Sequence, residues 1–278
     1  MKLSVIIVNH NLCMWLRQCI SALQAARYGV DCEVVVVDNG SDDKSVEMLK
    51  SQFTDVKVIE NGSNVGIAKA YNQAMGLTSG EYVFLVSPDT IVTKDTLTKA
   101  IDFMDTHIEA AGSSIRMVTP QGHFIRSSKY GLTKKWNLLI KWTGLSKYFT
   151  KSRITSLNQM QPDEFETAEI DVLNRSAMIL RRSVLNKVGL FDERFTMFGY
   201  DVDLSFRLKI EGFRNFYFHK TYVINFNIKP VQKYTFSYLR YYYGAMLAFI
   251  SKYLFELPKL SIGTPVKTLY TPQYEIER

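Results

Sequence analysis

The sequence predicts an α/β fold, a mostly parallel central sheet with helices on both faces, followed by a C-terminal helical segment. Three observations lead there. Runs such as Val5-Ile6-Ile7-Val8 and Val34-Val35-Val36-Val37 are apolar at every position, as strands covered on both faces require. The stretches between them carry apolar residues at three- and four-residue spacing. The two patterns alternate through the first half of the chain, the rhythm of a doubly wound sheet.

In order, residues 3–9 read as the first strand. Leu12, Leu16, Ile20 and Leu23 mark a helix, and residues 33–39 a second strand. Val46 and Leu49 give a short helix, residues 56–61 a third strand, Ala70, Ala74 and Leu77 another helix, and residues 81–88 a fourth strand. Beyond Pro120-Gln121-Gly122, which reads as a turn, the pattern changes. Residues 131–166 are basic, Trp-containing and irregular, either an ordered flap or a mobile insertion. Residues 170–181 read as a strand followed by a short helix, 202–210 as a helix stopped by Gly212, 213–218 and 222–226 as short strands, and 234–255 as a long helix. This divides the chain at about 119/120 into two halves of one domain over 1–230, with an extension over 231–278.

The chain has 278 residues, enough for one large α/β domain or a domain with an appendage. Its formal charge of +7 suits an anionic partner such as nucleotide phosphates, nucleic acid or an acidic membrane leaflet. The basic residues are spread along the chain, which argues against nucleic acid. Cys13, Cys19 and Cys32 have neither metal-type spacing nor an even count, so a reducing cytoplasm is the simpler expectation. The apolar run Leu3 to Val8 is too short for a signal-peptide core. The most nearly membrane-spanning stretch, residues 241–257, is interrupted by Lys252 and Glu256.

In doubly wound sheets ligands bind beyond the carboxyl ends of the strands. Here those ends carry Asn9-His10-Asn11, Asp38-Asn39-Gly40 and Ser87-Pro88-Asp89-Thr90. A carboxylate at Asp38 can accept the imide N–H of uracil or thymine, although Asp, Asn and Gly are also ordinary turn residues. Asn64-Val65-Gly66 leads into a helix containing Asn72. Glycine there permits close backbone approach, and a helix N-terminus offers free N–H groups to phosphate. Asp89 suits a divalent cation bridging a diphosphate, or a helix cap. Asp201 and Asp203 open a helix but cannot share one face of it. Asp201 is the candidate general base, while two acids at a helix N-terminus are favourable in any protein.

Taken together and in order, these clusters resemble glycosyltransferase family 2, in its bacterial rhamnosyltransferase-like branch. The family's Val-Asn-Tyr-Asn stands here as Val8-Asn9-His10-Asn11, and its Val-Asp-Asn-Xaa-Ser-Xaa-Asp as Val37-Asp38-Asn39-Gly40-Ser41-Asp42-Asp43. Its Asn-Xaa-Gly-Phe-Ala motif corresponds to Asn64 through Ala68, with Ile67 for Phe and one extra residue before Asn72. Its Asn-Pro-Asp-Thr is Ser87-Pro88-Asp89-Thr90, and its Gly-Xaa-Phe-Asp-Glu-Xaa-Phe is Gly189 through Phe195. Its Glu-Asp-Val-Asp-Leu is Tyr200-Asp201-Val202-Asp203-Leu204.

The resemblance implies a GT-A fold whose nucleotide-binding half is about 1–119 and acceptor half about 120–230. It implies an inverting transfer from a nucleoside diphosphate sugar to a saccharide or lipid-linked saccharide in bacterial surface polysaccharide synthesis. By position, Asn9, Asp38, Asn39, Asn64, Gly66, Asn72 and Asp89 would bind the donor, Asp201 would be the base, and Asp89 with Asn225 would hold Mg²⁺ or Mn²⁺. Three positions depart from the pattern. Tyr200 replaces the Glu before the catalytic Asp, Arg175 stands where Gly is usual, and Asn225 stands where His is frequent. Asn is a weaker metal ligand than imidazole. Arg175 brings a cation that would partly neutralise a diphosphate, and it joins the donor-binding set. The same departures motivate a second reading, a lapsed homologue that binds a nucleotide sugar or a partner enzyme. A dinucleotide-dependent oxidoreductase is disfavoured because the first strand–helix turn has no Gly-Xaa-Gly-Xaa-Xaa-Gly. The aromatic and basic 234–255 helix suits either the inner membrane surface or packing on the domain.

Overall fold

The computed structural model describes residues 1–129, 131–147, 164–228 and 235–254. The predicted alternation is present. β1 (Leu3–Asn9), β2 (Cys32–Asp38), β3 (Lys57–Glu60) and β4 (Tyr82–Val86) alternate with α1 (Cys13–Ala26), α2 (Ser45–Gln52) and α3 (Ile67–Gly76). Then follow β5 (Thr90–Val92), α4 (Thr96–Thr106), β6 (Ala110–Val118), α5 (Lys134–Trp142), β7 (Ala168–Ile170), β8 (Ala177–Arg181), α6 (Arg182–Val188), α7 (Tyr200–Ile210), β9 (Arg214–Asn225) and α8 (Phe236–Leu254).

The described strands form one nine-stranded sheet in the order β3-β2-β1-β4-β8-β6-β9-β5, with β7 on β9. β1 to β4 are mutually parallel. Antiparallel β8 lies between β4 and β6 and leaves those two, and β9, pointing the same way as β1. Only β5, β7 and β8 run against the majority, so the sheet is mixed but mostly parallel.

Because β1 and β2 carry unbroken apolar runs over residues 5–8 and 34–37, they feed both faces. Ile6, Val35 and Val37 pack with α3, α5, α7 and α8, whereas Val5, Ile7, Val34 and Val36 pack with α1, α2 and α4. Burying each such side chain is worth about 1.5–3 kcal/mol, which fixes strand position against slippage.

Several elements differ from the sequence reading. Residues 170–181 are two strands, because Asp171 to Ser176 leave the sheet between β7 and β8. Residues 213–226 are one strand with a register shift opposite Ile115 and Arg116, where the predicted break falls. The irregular stretch contains α5, opened by the Thr133 hydroxyl accepting from Trp136 N–H. Residues 148–163 of that stretch lie outside those described, as do 255–278 of the extension and both end residues of the 234–255 helix.

α8 is integral to the larger core, into which it buries Tyr242, Met246, Phe249 and Tyr253. Phe249 meets Trp136 of α5 and Phe206 of α7 edge-on or tilted. Its Lys252 bonds Asp192 and Asp203 at 2.7 Å each, and the Tyr253 hydroxyl donates to Asp203 at 2.6 Å. Packing on the domain therefore accounts for most of its aromatic residues. Among the described residues no helix is long and apolar enough to cross a membrane.

Candidate active site

The carboxyl ends of β1, β2 and β4 and the amino end of β8 meet along one edge, since Asn9 pairs with Asp38 and Val86 with Ala177. Asn9 is fully buried. Its amide nitrogen lies 3.0 Å from an Asp38 oxygen and 2.9 Å from the Ser45 hydroxyl. Asp38, 2% exposed, also accepts from the Ser41 N–H at 2.9 Å and the Ser41 hydroxyl at 2.6 Å. The turn residue Gly40 has φ +75°, and a Cβ there would come within 2.7 Å of the Ser63 backbone. Only glycine lets the β2 turn press against the next loop. The Asn9 side-chain oxygen Oδ1 and His10 Nδ1 are buried beside it with no partner among the described residues.

Asn39 joins this turn to the loop before α3. Its amide nitrogen donates to Asn64 at 2.9 Å, and its oxygen accepts from Asn61 at 3.2 Å and Val65 N–H at 3.1 Å. Asn64 also accepts from Gly66 N–H. Gly66, at φ +91°, abuts Thr196, whose carbonyl accepts from Ile67 N–H at 2.6 Å. Asn72 does not reach this group. Its oxygen accepts from Phe191 N–H, and its nitrogen donates to Phe191 O and the Glu193 carboxylate. The extra residue before Asn72 is consistent with an amide that ties α3 to the loop before α7.

Asp89 and Asn225 do come together. The Asn225 nitrogen lies 3.3 Å from one Asp89 oxygen and 2.8 Å from the Thr90 hydroxyl, and Ile228 N–H donates to the other Asp89 oxygen at 2.8 Å. The Asn225 oxygen accepts from Asn227 N–H, which fixes the amide's orientation. A donor, not a lone pair, therefore faces Asp89. Among the described residues no three His, Cys, Asp or Glu side chains stand together as a metal cage. In this arrangement the Asn225 amide nitrogen, rather than its oxygen, faces Asp89. His219 is remote, at the β9 register shift beside Thr167.

Asp201 occupies the first turn of α7, just after Gly199 and Tyr200. It is partly exposed, and burial pushes its carboxyl above the ordinary range, against the opposing charge of Arg175 and nearby backbone N–H groups. Asp89 is raised for the same first reason, with the Ile228 N–H, Asn225 and Arg175 opposing. Tyr200, in place of the expected Glu, is 2% exposed between Tyr71 and Phe191, so the position is a core anchor here. Asp203 points the other way, to Arg207, Lys252 and Tyr253.

Asn9, Asp38, Asn39, Asn64 and Gly66 thus form one bonded network, Asp89 and Asn225 a second group, and Asp201 a third. Arg175 lies near both of the latter. Sequence reasoning missed Ser41, Ser45, Asn61 and Thr196. Each is a common polar residue whose role depends on a partner far away in sequence or across a turn.

A family model described as Glycosyl transferase family 2 matches residues 4–189. The N-acetylglucosaminyl-diphospho-decaprenol L-rhamnosyltransferase of Mycobacterium tuberculosis is 24% identical over 198 residues, covering 66% of this chain and 63% of that protein. The uncharacterized glycosyltransferase YfnE of Bacillus subtilis is 27% identical over 249 residues, covering 76% of this chain and 61% of that one. The chain thus spans less than two thirds of these relatives. Staphylococcus aureus TarS in complex with UDP-GlcNAc matches with a TM-score of 0.59 at 20% identity over 88% of this chain and 64% of that one. A mannosyltransferase from Pyrobaculum calidifontis in complex with GDP-Man and Mn²⁺ matches with a TM-score of 0.57 at 18% identity, covering 86% of this chain and 59% of that one. These structural likenesses are of fold, the GT-A-type architecture expected from the motifs.

Proposed function

Starting from glycosyl transferase family 2, to which this chain belongs, we propose that the protein transfers a sugar from a nucleoside diphosphate sugar to an acceptor hydroxyl with inversion at the anomeric carbon. The observation that carries this reading is the placement of Asp201. It is a partly exposed carboxylate, raised in pKa, and the charge of Arg175 acts on both it and Asp89. In the proposed step the acceptor oxygen bonds to C1 as its proton passes to Asp201. The C1–phosphate oxygen bond breaks, and the nucleoside diphosphate leaves with the electron pair. The donor's base and ribose are assigned to the Asn9–Asp38–Asn39–Asn64 network, with Gly66 admitting the backbone close to the ligand. Asp89 faces the diphosphate. Asn72 serves this site by holding the Phe191 loop. Charge developing on the leaving phosphate needs a cationic partner.

The acceptor is proposed to be a saccharide or lipid-linked saccharide in bacterial surface polysaccharide synthesis, supported by the decaprenol-linked acceptor in the name of the mycobacterial relative. Contact with the cytoplasmic membrane face is proposed through Phe236, Tyr243 and Leu247 of α8 and Leu138 and Trp142 of α5. These are exposed beside Lys135, Lys141 and Arg240. Equal flotation of the L138S/W142S/L247S variant and wild type with anionic vesicles would reject that contact.

The activity is tested by incubating the protein with uridine- and thymidine-diphosphate sugars and following release of the nucleoside diphosphate. Release that disappears in Asp201→Asn is expected. Release that persists would remove Asp201 as the base. The buried Tyr200 favours a second reading, a nucleotide-sugar binder without transfer. Donor-induced thermal stabilisation with no turnover on any acceptor would select it.

A further inference from the structure

Arg175 is exposed, and unlike Arg181, Arg182 and Arg207 it has no hydrogen-bonded partner among the described residues. Arg181 bonds the carbonyls of Ala110, Met104 and His107 and the Tyr82 hydroxyl, and Arg182 bonds Gly80, Met75 and Thr78. Arg207 is likewise committed, to Asp203 and three carbonyls. Arg175 makes no hydrogen bond or ion pair with any described residue, and its guanidinium lies over the Phe198 ring. Its guanidinium carbon lies 5.1 Å from the centroid of the Phe198 ring.

Its base is nonetheless rigid. Asn174 is 8% exposed, takes the Ser114 hydroxyl as acceptor for its N–H at 2.7 Å, and donates to Ser127 O at 2.9 Å. The Ser176 carbonyl accepts from Ser87 N–H at 3.0 Å, two residues before Asp89. The ring that Arg175 covers is three residues before Asp201. The side chain therefore runs from the Asp89 loop toward the Asp201 loop, and its charge opposes the burial-driven rise of both carboxyls.

We infer that Arg175 is the cation that grips the outer phosphate of the donor's diphosphate, so that diphosphate binding needs no divalent metal ion. This rests on the nucleotide-sugar reading above. A planar guanidinium offers a fork of N–H donors that fits two phosphate oxygens at once, and stacking on an aromatic face leaves those edge donors free. The orientation of Asn225 points the same way. Where a metal-binding edge would present lone pairs, this one presents an amide N–H to Asp89, and the neighbouring cation is the protein's own.

The test is calorimetric titration of wild type, R175A and R175K with uridine and thymidine di- and monophosphates, each in EDTA and in Mn²⁺. Wild type is expected to prefer the diphosphate by ~10-fold or more in EDTA, the scale of a charge-assisted hydrogen-bond pair. R175A is expected to lose that preference while keeping its monophosphate affinity, which also reports that the site is folded. R175K should keep part of it, because a point charge lacks the fork. An R175A protein that still prefers the diphosphate overturns the inference. So does a wild-type preference that appears only with Mn²⁺. If wild type binds neither nucleotide in either condition, the nucleotide-sugar reading falls and takes this inference with it.

Discussion

The two sides of the strand-end edge are built on opposite terms. Around Asn9, Asp38, Asn39 and Asn64, side chains hold one another through bonds between 2.6 and 3.2 Å, and the two inner carboxamide and carboxylate groups are almost fully buried. Around Asp89, Arg175 and Asp201, burial raises two acids, and the exposed arginine has no hydrogen-bonded partner among the described residues. The first side is assembled before any ligand arrives. The second holds charge that is not yet matched. Groups already satisfied by one another suit recognition, whereas charge still free to pair can meet the charge that develops in a transition state.

Substitution can break this contrast at its extremes. Asp201→Asn should lower turnover by ~10²–10⁴-fold, the usual contribution of a positioned base. It should also stabilise the fold at neutral pH. A carboxyl raised above its unfolded value disfavours its ionised form in the native state, and the amide removes that cost. The gain should fade as pH falls into the ordinary carboxylate range, and melting curves at two pH values would read it. On the other side, Asn39→Ala should cost ~1–3 kcal/mol, because it strips partners from Val65 N–H, Asn61 and Asn64 in one step. Denaturant unfolding would measure it. A loss of activity without a loss of stability would put Asn39 on the unmatched side.

The pH profile sharpens the contrast further. A general base must be ionised, so the acidic limb of the wild-type rate should lie above the ordinary Asp value of ~3.9. Burial is the leading cause, with Arg175 opposing and Tyr71 and Tyr200 packed nearby. Removing the opposing charge in R175A should move the limb to still higher pH. The smallest effect is expected for the stability of R175A itself, within ~0.5 kcal/mol, as for exposed residues free of bonded networks. A larger change would mean that Arg175 supports the fold.

How legible each part was follows the same division. The β1-to-β4 half could be read because Val and Ile runs mark doubly covered strands whatever their neighbours do. Its polar ends could be read because they follow those runs directly. β6 was invisible because Gly112, Ser113 and Ser114 carry no apolar signal, although both serines are fully buried between β8 and β9. β5 is only three residues long, too short to show a strand pattern in the sequence. Asn72 was legible as a motif residue but not as a clamp, since its partners lie 119 and 121 residues away. The orientation of Asn225 was equally out of reach, because it is set by one backbone N–H at Asn227.

The clasp between α8 and α7 has a consequence in time as well as in space. Asp203 is fully buried, and two of its three side-chain partners, Lys252 and Tyr253, follow it by 49 and 50 residues. At synthesis rates of ~5–20 residues per second, a nascent chain carries that carboxylate for several seconds before those partners are made. Until then α7 has Arg207 alone against the charge, and the core seat of Phe249 and Tyr253 is open. The helix that presents Asp201 is therefore among the last parts of the edge to set, after the nucleotide network has all of its own residues in hand.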